Sequence, residues 1–248
     1  SAVDFLNRIT DLYLQPIQPE RPLKATGLQS YNAIINRGNV RHLRPTLYDL
    51  LAHRALDYFK SGDRELNKPA YAFEITSPQV FAPAAQFVKA SFQTRDTFSL
   101  KRQALLLYQN LIDFHLSDAK KEALLDVDID RIQFAYQHSV AENKDSLYVQ
   151  ALQYLTQQHS TAAAAEAWYL LAAYYEGLAS SYDPFGDTTY RYYRIKAKEI
   201  LERVVRDSAQ KSAAWASSYN LLQQVQQPHF KFAIEKVNVP AQPFRALV

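Results

Sequence analysis

Asp49, His53 and Asp57 are spaced i, i+4, i+8 in the segment LYDLLAHRALDYF, residues 47–59. Leu47, Leu50, Leu51, Ala55 and Tyr58 make an apolar stripe at helical intervals there, so the three polar residues project from the other side of a helix. Imidazole and carboxylate are ligands for divalent metals and partners in proton transfer, and the triplet could hold an ion or act as an acid–base pair. The same spacing also arises as an ion-paired stripe facing water, with Arg41, Arg44 and Arg54 as partners. No second histidine or glutamate recurs at ligand spacing. The solvated, ion-paired face is the expectation, with no catalytic residue, metal or cofactor assigned.

Asp126, Asp128 and Asp130 have the spacing that opens a calcium loop. The glycine needed at loop position 6 is Arg131, and the bidentate glutamate at position 12 is Gln137. A turn that places an aspartate at a helix N-terminus is expected instead, since acid there complements the helix dipole. The histidines at 42, 53, 115, 138, 159 and 229 form no HExxH or HxH group. No G-x-S-x-G elbow and no phosphate-binding glycine pattern is present. Tyr190-Arg191-Tyr192-Tyr193-Arg194 could stack on bases or sugars; packing of the surrounding loop onto its neighbours is the favoured expectation.

The bulk properties narrow the class further. The chain has 248 residues, 48 % apolar and 21 % charged, with a net charge of +3. That charge is too small and too dispersed to suggest nucleic acid. The absence of cysteine excludes disulfides, thiolate metal sites and cysteine nucleophiles. No run is long and apolar enough to span a membrane, and no secretory signal stands at Ser1.

The elements that must position these residues are mostly helices. The clearest is in TAAAAEAWYLLAAYYEGLASSY, residues 161–182. Trp168, Leu171, Ala172, Tyr175, Leu178, Ala179 and Tyr182 share one face there. Trp168-x-x-Leu171-Ala172-x-x-Tyr175 sits close to the first-helix signature of a tetratricopeptide repeat. Other helices are expected over 3–14 and 28–36, after a Thr46/Asp49 capping box, and from Ser99 onward. The stripes from there are Leu100 to Phe114, Ile132 to Val140, Leu147 to Leu155, Ala197 to Val205 and Trp215 to Val225. Prolines 69, 78 and 83 make 60–96 irregular, with a short extended piece at Tyr71, Phe73 and Ile75. The helical spacing from Arg131 to Lys211 fits a period near 34 residues once the loop around 183–193 is set aside. After Pro228 the period becomes two, through Phe230, Phe232 and Ile234, followed by Val237 and Val239. This predicts an all-α stack of tetratricopeptide-like hairpins over 1–228. Residues 229–248 would be the first strand of a β domain that continues beyond Val248.

Several segments resemble one family. They are LRPTLYDLLAHRALDYF (43–59), NKPAYAFEI (67–75), SLKRQALLLYQNLIDFHL (99–116), ALLDVDIDRIQFAY (123–136), KDSLYVQALQYL (144–155) and FAIEKVNVPAQPFRALV (232–248). Together they are similar to the N-terminal helical region of bacterial alpha-2-macroglobulin-like proteins of Gram-negative envelopes. The resemblance implies a secreted or envelope-attached protein, periplasmic or held at the outer membrane, whose full-length form traps or inhibits proteases. It implies contacts with further domains of the same chain and with proteases or other envelope proteins. The family's thioester requires a cysteine, which this chain lacks, so none of the trapping chemistry maps onto these residues.

The expected role is a non-catalytic scaffold or protein-interaction region, and the alternative is a glycan- or peptide-binding helical module. Stacked hairpins present the first helix of each pair as a groove. On that logic Trp168 lies in the core, while Tyr169, Tyr174, Phe185, Tyr190 and Tyr192 are candidate partner contacts.

Overall fold

The computed structural model describes residues 2–35, 38, 40–61, 70–183, 186–207, 212–227, 233–234 and 246–247. Ten α-helices lie among them: α1 Ala2–Leu14, α2 Glu20–Ala25, α3 Leu47–Phe59, α4 Ala84–Phe87, α5 Leu100–Leu116, α6 Glu122–His138, α7 Lys144–Gln158, α8 Ala165–Ala179, α9 Tyr193–Asp207 and α10 Ala213–Gln226. The class is all-α, as the periodicity predicts. Two two-residue strands, β1 Ala233–Ile234 and β2 Ala246–Leu247, pair antiparallel. That ladder is too short to make a sheet. Phe230, Phe232, Val237 and Val239, on which the expected strand rested, lie outside the described residues.

The chain divides into two compact units, Ser1–Trp168 and Tyr169–Val248. In the first, α3 begins where Thr46 accepts a hydrogen bond from the Asp49 amide while the Asp49 carboxylate accepts one from the Thr46 amide at 2.9 Å. This is the capping box that the sequence predicts. Tyr13 of α1 stacks on Tyr58 of α3, with ring centroids 4.5 Å apart. Tyr48 meets Phe114 of α5 edge to face at 5.8 Å, and Lys24 of α2 lies over both rings. Leu56, Phe59, Tyr108, Leu111, Ile112, Ile132 and Phe134 are buried between α3, α5 and α6.

α5, α6 and α7 follow one another through five-residue connections. Connections that short fold each helix back on the one before. Alternate helices start 44 and 43 residues apart, Leu100 to Lys144 and Glu122 to Ala165. The interval is longer than the roughly 34 residues of a tetratricopeptide unit.

Residues 70–99 carry no long helix, as the prolines dictate. Ser77 caps a 3-10 turn at Pro78–Phe81, and α4 is a single turn. The backbone acceptors of this stretch are met by side chains of the long helices. Gln109 donates to the carbonyls of Phe87 and Ala90, Arg102 to that of Phe92, and Arg131 to that of Val80. Past the end of α6, Ser139 donates to the carbonyl of Ile75. Buried backbone outside regular structure needs such partners. The expected extended piece reduces to one bridge, Ile75 with Ser139; Ile75 is buried and Tyr71 exposed.

Several local expectations shift. The alanines ahead of α8 form a hydrogen-bonded turn at 161–164, with the Ser160 hydroxyl accepting from the Ala163 amide. Residues 28–31 make a 3-10 turn in place of a full helix. Val140, expected on the apolar stripe of α6, lies beyond the helix and is exposed. Asp126, Asp128 and Asp130 sit inside α6 rather than in a turn before it, because the helix already starts at Glu122.

In the second unit Ala172 of α8 packs with Ala197 and Leu201 of α9 and with Leu222 and Val225 of α10. Tyr169, Tyr175, Ile200, Val205 and Leu221 close the edges. Ser212 caps α10, and the Trp215 indole donates to the Val205 carbonyl at 3.2 Å.

Candidate functional site

The triplet on α3 does not make one face. Each four-residue step turns about 40°, so Asp57 stands about 80° round from Asp49. Asp49 and His53 point inward and are buried, while the Asp57 side chain is 72 % exposed and faces Lys60 at 4.0 Å. The solvated, arginine-paired stripe is therefore corrected for two of its three members. Arg41 bonds Asn32 and the Leu28 carbonyl instead.

The partner of Asp49 is His115, near the end of α5. His115 Nε2 lies 2.8 Å from Asp49 Oδ1, and its Nδ1 lies 2.7 Å from Asp118 Oδ2. The His115 side chain is 1 % exposed and that of Asp49 0 %. Asp49 Oδ2 accepts from both the Thr46 amide and the Thr46 hydroxyl. A ring facing carboxylate oxygens through both nitrogens donates twice only as the imidazolium. Burial alone would lower the His115 pKa, but the bonds to Asp49 and Asp118 outweigh it and hold it raised. Burial likewise opposes the charge on Asp49, and the His115 and Thr46 bonds overcome it and keep its pKa low. With both nitrogens engaged inside the protein, His115 has none left to take a proton from a substrate.

His53 is turned differently. Its Nδ1 lies 2.9 Å from the Asp49 carbonyl oxygen, one turn back, which fixes the proton there. Its Nε2 is buried and has no hydrogen-bond partner among the described residues. Burial, and then the nearby charge of Arg44, lower its pKa, so this imidazole is neutral. Asp126 faces the same region, and its burial raises its pKa. Among the described residues, no three histidine, aspartate or glutamate side chains come together to hold a metal.

Two of the three aspartates of α6 are held in different directions. Asp128 Oδ1 takes Arg131 Nε at 2.9 Å and Nη2 at 2.5 Å, with both side chains buried. Arg131 also lies against the Phe87 ring, 4.5 Å from its centroid. Asp130 accepts from Lys60 at 3.0 Å and from the Tyr108 hydroxyl at 2.8 Å. No calcium loop forms, because helical backbone turns Asp128 away from the face that Asp126 and Asp130 share.

The candidate partner contacts fall into two groups. Tyr169 and Tyr174 are half-buried, and Tyr169 packs against the core of the second unit. Trp168, expected in the core, is half-buried as well. Tyr190 meets Tyr193 edge to face at 5.2 Å, and Tyr193 meets Tyr175 at 5.4 Å. Arg194 makes a forked pair with Glu176 at 2.8–3.1 Å. The Tyr/Arg cluster thus packs the first turn of α9 onto α8, with Tyr190 of the loop against it, and leaves Tyr192 exposed with Arg191 over its ring. Phe185 lies outside the described residues.

A groove of about 290 Å³ opens in the first unit between the 78–87 stretch, α6 and α7. Phe81 and Pro83 line one part, Leu147 and Tyr154 another, and Gln86 and Gln150 contribute amides. The Asp128–Arg131 pair lines it too. Sequence reasoning missed both this groove and His115. The only local trace of the histidine site is the i, i+3 spacing of His115 and Asp118, since Asp49 lies 66 residues away. Comparison with protein-family models, with curated proteins and with solved structures returns no match.

Proposed function

We propose that this chain is a non-catalytic, protein-interaction scaffold built from helical hairpins. One observation carries the reading: charged side chains of the first unit bond one another and fasten elements together. Asp49, His115 and Asp118 join α3 to the end of α5, Asp130 joins α6 to Lys60, and Arg131 joins α6 to the 78–81 turn. Catalytic groups need an open nitrogen or oxygen beside a substrate cleft. The groups just named are spent on architecture. The consecutive packing of α5, α6 and α7 supports a tetratricopeptide-like array with a longer repeat interval.

On the sequence resemblance set out above, the scaffold belongs to an alpha-2-macroglobulin-like envelope protein and precedes its first β domain. Reading the gene on either side of these 248 residues tests that assignment. A secretion or lipoprotein leader upstream and serial β-sandwich domains downstream are the expected result. A stop codon directly after Val248 would refute it. The non-catalytic role is tested separately by His115→Gln and His53→Ala in the full-length protein. Both are expected to alter stability and leave protease inhibition unchanged once folded protein is compared.

The groove beside α7 favours a second reading, a peptide-binding helical module.

A further inference from the structure

We infer that the groove between the 78–87 stretch, α6 and α7 is a binding site for a neutral, extended peptide segment. The segment donates a backbone N–H to Asp128 and lays apolar side chains against Phe81, Pro83 and Tyr154. This deepens the protein-interaction reading and rests on it.

The argument begins with an unbalanced carboxylate. Asp128 is buried, and both of its bonds from Arg131 end on one oxygen, Oδ1. Its second oxygen, Oδ2, accepts from no described residue. Asp128 lines the groove, so that oxygen is the acceptor the groove presents. A buried carboxylate oxygen without a donor costs free energy that a ligand's N–H recovers.

The charge selects the ligand class. The Asp128–Arg131 pair is already neutral, so a ligand ammonium would add an uncompensated charge beside Arg131. A peptide N–H donates without that penalty. Gln86 and Gln150 line the same groove. Each side-chain amide can both donate and accept, which suits a peptide backbone carrying both functions. Phe81, Pro83, Leu147 and Tyr154 supply flat apolar surface for side chains. A volume of 290 Å³ holds about ten waters, space for the side chains of a short segment rather than a folded domain.

The test is a titration of the isotope-labelled chain, followed by amide NMR, with an uncharged probe. The probe is a leucine–alanine dipeptide, acetylated at its N-terminus and N-methylamidated at its C-terminus. Saturable shifts are expected at 128–132 and 147–155, with a dissociation constant on the order of 0.1–1 mM for so small a ligand. Replacing the donating N–H by N-methyl should weaken binding about tenfold or more, because that hydrogen bond goes to a charged acceptor. Each amide is therefore methylated in turn. Ala151→Phe, which fills the groove, should abolish binding. Tyr154→Ala, at an exposed position, should weaken it without endangering the fold. Shifts that grow linearly without saturating, equal binding of every N-methylated probe, or unchanged binding to Tyr154→Ala and Ala151→Phe would each overturn the proposal. A negative titration removes the groove alone, because the scaffold role is tested through the flanking gene and the inhibition assay.

Discussion

Replacing His115 by alanine takes the imidazolium from between Asp49 and Asp118. Asp118, whose side chain is 36 % exposed, can turn toward water. Asp49 cannot, since it is fully buried and its Oδ1 has no other donor among the described residues. Breaking a buried pair by removing one partner costs about 3–5 kcal/mol. In a unit of this size each kcal/mol moves the melting temperature by about 2–4 °C, so His115→Ala should melt roughly 6–20 °C lower. Asp118→Asn, at the exposed end, should cost about 1 kcal/mol or less. His115→Gln keeps an amide donor toward Asp49 and should recover part of the loss.

The pH dependence gives a second readout. An unfolded histidine titrates near 6.5, and His115 is raised above that in the fold. A raised histidine contributes fully below about pH 6.5, and its contribution disappears as pH climbs through the folded value. His53 runs the opposite way: its lowered pKa means stability is lost as pH falls below about 6.5. Asp49, also lowered, adds to that acid-side loss below the carboxylate range. Stability should therefore be greatest near neutrality and, between about pH 7 and pH 9, below the range where the buried Tyr48 and Tyr108 hydroxyls begin to matter, decline in the wild type but not in His115→Gln. Urea unfolding at half-unit pH steps measures both limbs. A His115→Ala loss under about 1 kcal/mol, or an alkaline decline that persists in His115→Gln, would refute the doubly donating imidazolium.

Three further outcomes follow from the same geometry. Gly177 sits exposed within α8 with nothing near a would-be Cβ, so Gly177→Ala should stabilise the chain by about 0.5–1 kcal/mol in thermal unfolding. Gln109→Leu strands the Phe87 and Ala90 carbonyls and should cost about 1–3 kcal/mol, with faster hydrogen exchange confined to 84–93. Thr46→Ala removes the cap of α3 and should cost about 1–2 kcal/mol in urea unfolding, while Thr46→Ser should cost much less.

What the sequence made legible was whatever depends on neighbours along the chain. The Thr46/Asp49 box, the stripe of α5 and the inward alanines of α8 are all local patterns, and they appear in the fold. The polarity of the α3 triplet was misread because burial of Asp49 depends on His115, which no spacing rule connects to it. Asp128 was expected in a turn at a helix start, but the helix already begins at Glu122 and places it one turn from its partner Arg131. The groove was invisible for a similar reason: its parts come from three stretches that only folding assembles.

Two of the non-helical stretches among the described residues differ in how they are anchored. The loop after α8 largely bonds to itself, through Asp183, Asp187 and Thr189. The 70–99 stretch instead hands its carbonyls to Gln109, Arg102 and Arg131 on two separate helices. A fluorescent label or inserted tag should thus be accommodated between Asp187 and Thr189 with little disturbance. The same insertion between Val80 and Ala90 would pull on the Gln109 and Arg131 clasps together and loosen the stretch from α5 and α6.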